Sequence, residues 1–270
     1  MLRAIDFKTN NLVTLTQEED KLQLGKDKIQ SYLEIGKEKY FYGFYESALK
    51  YYACVLKEDP TQVDAWIGQI RVLIDLEKID AAVFWAEKGF NQFPEIKNME
   101  LVQAYALVYA GKIEKAKKLI NKPVKKSELP MSWLLRGEVL LKMKLGFFHK
   151  FIKPYRGIGK IGAFFCFLKA LESDPHDGFM NQRIGIAYLK ANETAQAYNS
   201  LRVALVAAPQ NPLTLYCLAL CYRAIGDYDY ALYHTKKAIA FNPELDAAAE
   251  LLQWLHSPLR KTFHKLLKII

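Results

Sequence analysis

Between Pro212 and Pro243 apolar and polar positions follow a helical period twice over. Leu215, Leu218, Ala219 and Tyr222 fall on one face of a first segment, and Tyr228, Ala231, Thr235 and Ala238 on one face of a second. Spacings of three and four put side chains on a common side of a helix. Gly226 stands between the segments, where a left-handed residue ends a helix at least cost, and Pro243 stops the second. Small Ala219 and Ala231 permit close approach, with tyrosines filling the space beside them. The pattern predicts two helices folded back on each other.

The same unit recurs along the chain. Pro60 and Pro94 are 34 residues apart, as are Pro175, Pro209 and Pro243 in succession, and aspartate precedes Pro60 and Pro175. A mid-unit alanine returns as Ala48, Ala82, Ala116, Ala163, Ala197 and Ala231. A small residue in the first helix returns as Gly36, Ala104, Gly137, Gly185 and Ala219; Ile70 breaks that column and predicts looser local packing. A 34-residue helix-turn-helix period resembles the tetratricopeptide repeat (TPR) family. The resemblance implies an all-α fold, a right-handed α-solenoid of about six TPR units. The solenoid spans 29–256, with a basic insertion in the fourth unit and a C-terminal capping helix.

Departures from the period are informative. Residues 1–28 are less patterned and read as an N-terminal segment or capping helix, with Thr16 and Gln17-Glu18-Glu19 as a helix start. In the third unit Pro123 shortens the second helix, and VKKSELP reads as a connector. In the fourth, Trp133, Gly137 and Leu140 mark one helix and Ala163, Phe167 and Ala170 the other, with an insertion of about 145–159 between them. DAAAELLQWLH, Asp246 to His256, predicts the capping helix, with Leu251, Leu252 and Trp254 as its packing residues. The tail 257–270 is basic and amphipathic: Phe263, Leu266, Leu267 and Ile270 oppose Arg260, Lys261, Lys265 and Lys268.

Charge sharpens the picture. The formal net charge is +9, yet seven Lys or Arg and no acid lie from Lys142 to Lys169, and four more in the tail, leaving the solenoid near neutral. Such local basic character points to a defined acidic contact rather than general nucleic-acid binding. Phe147, Phe148, Phe151 and Tyr155, interleaved with Lys150, Lys153, Arg156 and Lys160, suit an anionic membrane surface. The same residues suit single-stranded nucleic acid, the less favoured partner, an acidic protein groove, or packing back on the solenoid. Four scattered cysteines in helical patterns fit a reducing compartment, and no apolar run reaches the ~20 residues of a membrane span. The expectation is a cytoplasmic protein, with membrane-peripheral attachment as the variant.

Catalytic chemistry finds little footing. Gly157-Ile158-Gly159-Lys160-Ile161-Gly162 matches GxGxxG in letters, but no strand pattern precedes it, so it reads as a hinge and not a cofactor loop. Cys217 and Cys221 are four apart without the further ligands zinc needs, and the five histidines form no metal-binding or catalytic spacing. The expectation is no enzyme, no cofactor and no metal.

By the resemblance, first helices line a concave groove that holds partner segments. Its columns are Leu33, Ile67, Leu101, Leu134, Gln182 and Tyr216, and, one turn on, Lys37, Arg71, Tyr105, Glu138, Ile186 and Leu220. The groove so drawn is largely apolar, with mixed charge towards its N-terminal side, and suits apolar or amphipathic protein segments. Leu33 and Gly68 stand at two places where chaperone-tail adaptors carry clamp residues, which argues against that class. The leading reading is an adaptor or assembly scaffold with the basic insert as a second contact. The alternative is a peripheral membrane-associated scaffold of a secretion, pilus or flagellar apparatus.

Overall fold

An amphipathic helix is stable only when its apolar stripe meets another surface, and here each helix is covered by its neighbours in sequence. The computed structural model describes residues 25–120, 129–143 and 160–257, the backbone alone for Lys160 and Ile161. The described part of α1 covers residues 25–41. Then follow α2 (Tyr45–Glu58), α3 (Val63–Asp75), α4 (Ile79–Gln92), α5 (Lys97–Tyr109), α6 (Ile113–Ile120) and α7 (Pro130–Met143). The chain continues with α8 (Lys160–Ala170), α9 (Gly178–Lys190), α10 (Thr194–Ala207), α11 (Pro212–Ala224), α12 (Tyr228–Phe241) and α13 (Asp246–His256). The described residues contain no strand. Most odd-numbered helices pack against the next odd-numbered one and against an even-numbered partner, the arrangement of an all-helical solenoid. Thr16, Pro123, the basic-insert residues from Phe147 to Arg156 and the tail from Pro258 lie outside the described residues.

The turns inside the helix pairs share one backbone device. Gly43, Glu77, Gly111, Asn192 and Gly226 all have positive φ, between 58° and 82°. The first three fall 34 apart, and so do the last two. A left-handed residue reverses the chain tightly, and Glu77 and Asn192 take that conformation where a glycine would be less strained.

Small residues set the helix separations. A Cβ on Gly137 would run into the Phe167 ring, one on Gly185 into Leu201, and one on Gly68 into Tyr52. Ile70, the expected loose point, is wholly buried. The close approach in that unit is made at Gly68, two residues earlier, so packing there is shifted and not loosened. The end of the solenoid also differs from expectation. Leu251 and Leu255 are buried against Ala219 and Ala231. Trp254 is 43% exposed, because i,i+4 spacing from Leu251 selects Leu255 and leaves Trp254 at the rim. There its ring faces Arg223, 5.4 Å away.

The largest departure from a linear stack lies at the C-terminal end of α1. Repeat arrays ordinarily join each unit only to its neighbours. Here the Phe41 carbonyl accepts hydrogen bonds from Gln182 Nε2 and Asn211 Nδ2, both at 2.9 Å. Phe179 packs on the rings of Tyr40 and Phe41, each at 6.1 Å between centroids. A Cβ on Gly43 would lie 3.0 Å from Leu213. The first helix pair therefore docks onto the fifth and sixth, and the solenoid closes on itself.

Candidate functional site

Closure brings the first helices of five units together around one set of buried charges. Arg71 on α3 and Glu138 on α7 form a fork, Nη1 to Oε2 at 2.8 Å and Nη2 to Oε1 at 2.9 Å. Arg183 on α9 pairs with Asp75 on α3 at 2.8 Å and brings its Nε within 3.6 Å of Glu138. Lys190 reaches the other oxygen of Asp75 at 3.1 Å, and Tyr40 on α1 donates to Asp75 at 2.8 Å. Tyr105 on α5 presents its ring to Arg71, with the guanidinium 5.6 Å from the centroid. Tyr40 does the same for Arg183 at 5.1 Å.

This network is deeply enclosed. Arg71 and Arg183 are each 1% exposed and Glu138 is 3% exposed. Burial alone would raise the Asp75 pKa; the Arg183 and Lys190 charges and hydrogen bonds from Tyr40 and Arg183 outweigh it and hold that carboxyl far below its ordinary range. Burial pushes the Tyr40 hydroxyl up, so it remains a neutral donor.

One face of this interior opens to solvent. A cleft of about 550 Å³ is lined by Tyr40, Phe41, Ile67, Arg71, Met131 and Phe179. Lys37 and Asp64 also line it and form a 2.7 Å ion pair. Leu129, 64% exposed, stands where α7 begins. The walls offer apolar and aromatic surface. The charge of Arg71 is already neutralised within the chain.

Against the expected groove, the placement is mostly interior. Leu33, Ile67, Arg71, Leu101, Tyr105, Leu134, Glu138, Gln182 and Ile186 are buried. Tyr216 and Leu220 are half-buried, and Lys37 is exposed. Nine of the twelve thus lie inside the closed solenoid, where its inward curl brings the first helices together. Lys37, Ile67 and Arg71 alone of the twelve line the cleft. Within the columns, Arg71 and Glu138 do come together. Lys160 opens α8, and the other seven insert residues lie outside the described residues.

Residues 212–245 match the family model for the tetratricopeptide repeat, on the stretch whose period is clearest. That stretch is a tetratricopeptide repeat. No curated protein sequence matches it. A TPR protein of Thermus thermophilus, TTC0263, is similar in structure at 20% identity and TM-score 0.45, covering 83% of this chain and 97% of its own. The human IFIT1 dimer with m7Gppp-AAAA is similar at 16% identity and TM-score 0.50, over 72% of this chain and 46% of its own. YrrB, a TPR protein with an unusual peptide-binding site, is similar at 15% identity and TM-score 0.42, over 74% and 96%.

The TPR pattern did not single out Asp75, Arg183, Tyr40, Lys190 or Phe179. One signal was available for the first, since Asp75 lies one helical turn beyond Arg71 on the same face. Nothing comparable marks Arg183, whose position in other units holds Gly68, Val102 and Leu135. Chemistry at the three buried cysteines is muted: burial pushes the thiols of Cys217 up to about 12 and of Cys166 and Cys221 up to about 11. No group of acids, histidines and cysteines able to hold a metal occurs among the described residues.

Proposed function

We propose that this TPR protein is a non-catalytic interaction scaffold that holds a partner's apolar or amphipathic segment in the cleft beside the buried charge network. The supporting observation is the cleft itself: about 550 Å³, walled by Tyr40, Phe41, Ile67, Met131 and Phe179. Pockets of this character take segments that present apolar side chains at regular spacing. The Arg71–Glu138 fork already satisfies the Arg71 charge, so the occupant needs no carboxylate there. The Lys37–Asp64 pair offers one charge of each sign beside it, suited to the polar side of an amphipathic segment. Among the described residues no helix is long and apolar enough to cross a membrane. A cytoplasmic address is part of the proposal.

Photo-crosslinking tests it. A crosslinkable residue placed at Leu129 or Met131 is expected to give discrete protein adducts in lysate of the source cell. The same residue at Val206, 82% exposed on α10, is expected to give none of them. Adducts of equal pattern at all three positions, or none at Leu129 and Met131, would refute the cleft as the partner site.

A further inference from the structure

Asn98 is a polar residue in the apolar wall of the cleft. It is the second residue of α5, only 9% exposed, and it borders the same space as Tyr40, Ile67, Met131 and Phe179. Ser132, at the equivalent place one unit later, is 3% exposed and donates its hydroxyl to Asn98 Oδ1 at 2.6 Å. The 34-residue period makes this pair, because stacked units set equivalent positions of successive first helices side by side. Asp64, at the same place one unit earlier, also lines the cleft, but it is taken up by Lys37.

The bond from Ser132 orients the amide. With Oδ1 held there, Nδ2 is the end left to meet a ligand. Nδ2 has no acceptor among the described residues and is not sealed off from solvent. The open space that Asn98 borders is the cleft.

Such a donor restricts the conformation of whatever fills the cleft. An apolar side chain laid over Nδ2 takes it out of water and gives no bond in exchange, which costs binding energy. The occupant must bring an acceptor to a wall that is otherwise apolar and aromatic. In an α-helix the main-chain carbonyls are spent within the helix, save those of its last turn. In an extended segment they are free, and successive side chains point to opposite sides. One carbonyl then meets Nδ2 while neighbouring side chains enter the apolar wall.

We propose that the cleft holds its partner segment in an extended conformation, with Asn98 Nδ2 donating to a main-chain carbonyl of that segment. This rests on the cleft being the partner site, and it makes Asn98 the residue that selects extended over helical segments.

Peptide selection followed by backbone chemistry tests it. Random linear peptides displayed on phage are panned on the full chain, and clones are kept whose binding is lost in Leu129→Asp, a change at a cleft residue that is 64% exposed. Transferred nuclear Overhauser effects on the selected peptides, made synthetically, are expected to show an extended backbone. Each peptide amide is then replaced in turn by an ester, which weakens the carbonyl as an acceptor. One position is expected to cost roughly tenfold in affinity. Asn98→Asp keeps an oxygen for Ser132 and puts a second oxygen where Nδ2 stood, at a helix N-terminus that tolerates an acid. It is expected to lose roughly tenfold or more of the affinity with an unchanged melting temperature. In that variant the critical ester is expected to cost nothing further. A peptide bound as a helix, or undiminished affinity in a folded Asn98→Asp, overturns the inference while the cleft stands as the partner site. If no selected peptide depends on Leu129, the cleft reading falls and the inference with it. Should Asn98→Asp fail to fold, the ester series decides, and a series in which no position weakens binding overturns the inference.

Discussion

Arg71 and Glu138, 67 residues apart in sequence, face each other as a two-bonded fork inside the solenoid, at 2.8 and 2.9 Å. A pair so enclosed draws its Coulomb energy from a low-dielectric setting but has given up the hydration of both charges. Its net contribution is therefore small, and the cost of breaking it is large.

Glu138→Gln is expected to lower stability by about 3–5 kcal/mol, since it strands Arg71 and removes the neighbour of Arg183. The double substitution Arg71→Met with Glu138→Leu is expected to recover most of that loss by replacing the pair with apolar volume. Urea midpoints of the wild type, Arg71→Met, Glu138→Leu and the double variant measure the coupling, and that of Glu138→Gln the cost of stranding Arg71.

Asp75 gives the network an acid dependence. Its folded pKa lies far below its unfolded value, so its contribution is complete above the unfolded value of about 3.9 and fades as pH falls towards the folded one. Asp75→Asn is therefore expected to destabilise at neutral pH, with the gap between wild type and variant narrowing below about pH 4. Denaturation midpoints over a pH series read that gap directly. A gap that widens on acidification contradicts the assignment.

Two glycines separate packing from backbone strain. At Gly137 a methyl group would collide with Phe167, and Gly137→Ala is expected to cost about 1–3 kcal/mol. Around Gly111 nothing lies within 4 Å, but φ is +72°. There Gly111→Ala is expected to cost about 1 kcal/mol through conformation alone. Trimming the ring with Phe167→Leu is expected to relieve the first substitution and leave the second untouched, as melting temperatures will show.

Much of this architecture was legible because it is local. A proline every 34 residues, a mid-unit alanine and a small residue in the first helix report contacts within a unit or between adjacent ones, and those contacts recur. The left-handed turns at Glu77 and Asn192 were not legible, because neither residue type demands that conformation; the period alone places them. The closure was invisible for a different reason. How tightly a solenoid curls accumulates from small rotations at every interface. The residues that lock the curl, Gln182 and Asn211 on Phe41, are 141 and 170 positions from their partner. That is why Arg71 and Glu138 could be placed on one column while the column's burial went unread.

The bonds to the Phe41 carbonyl bear on how the chain is made. An open array can fold unit by unit as it leaves the ribosome. Here the Phe41 carbonyl at the end of α1 has neither of these hydrogen bonds until Gln182 and Asn211 have been synthesised. Contacts this distant in sequence slow folding and bind the units into one cooperative transition. During synthesis, Tyr40, Phe41 and the acidic side of Asp75 await partners that arrive only with α9 and α11. In the living cell that interval, rather than the finished protein, is when this chain most needs a chaperone.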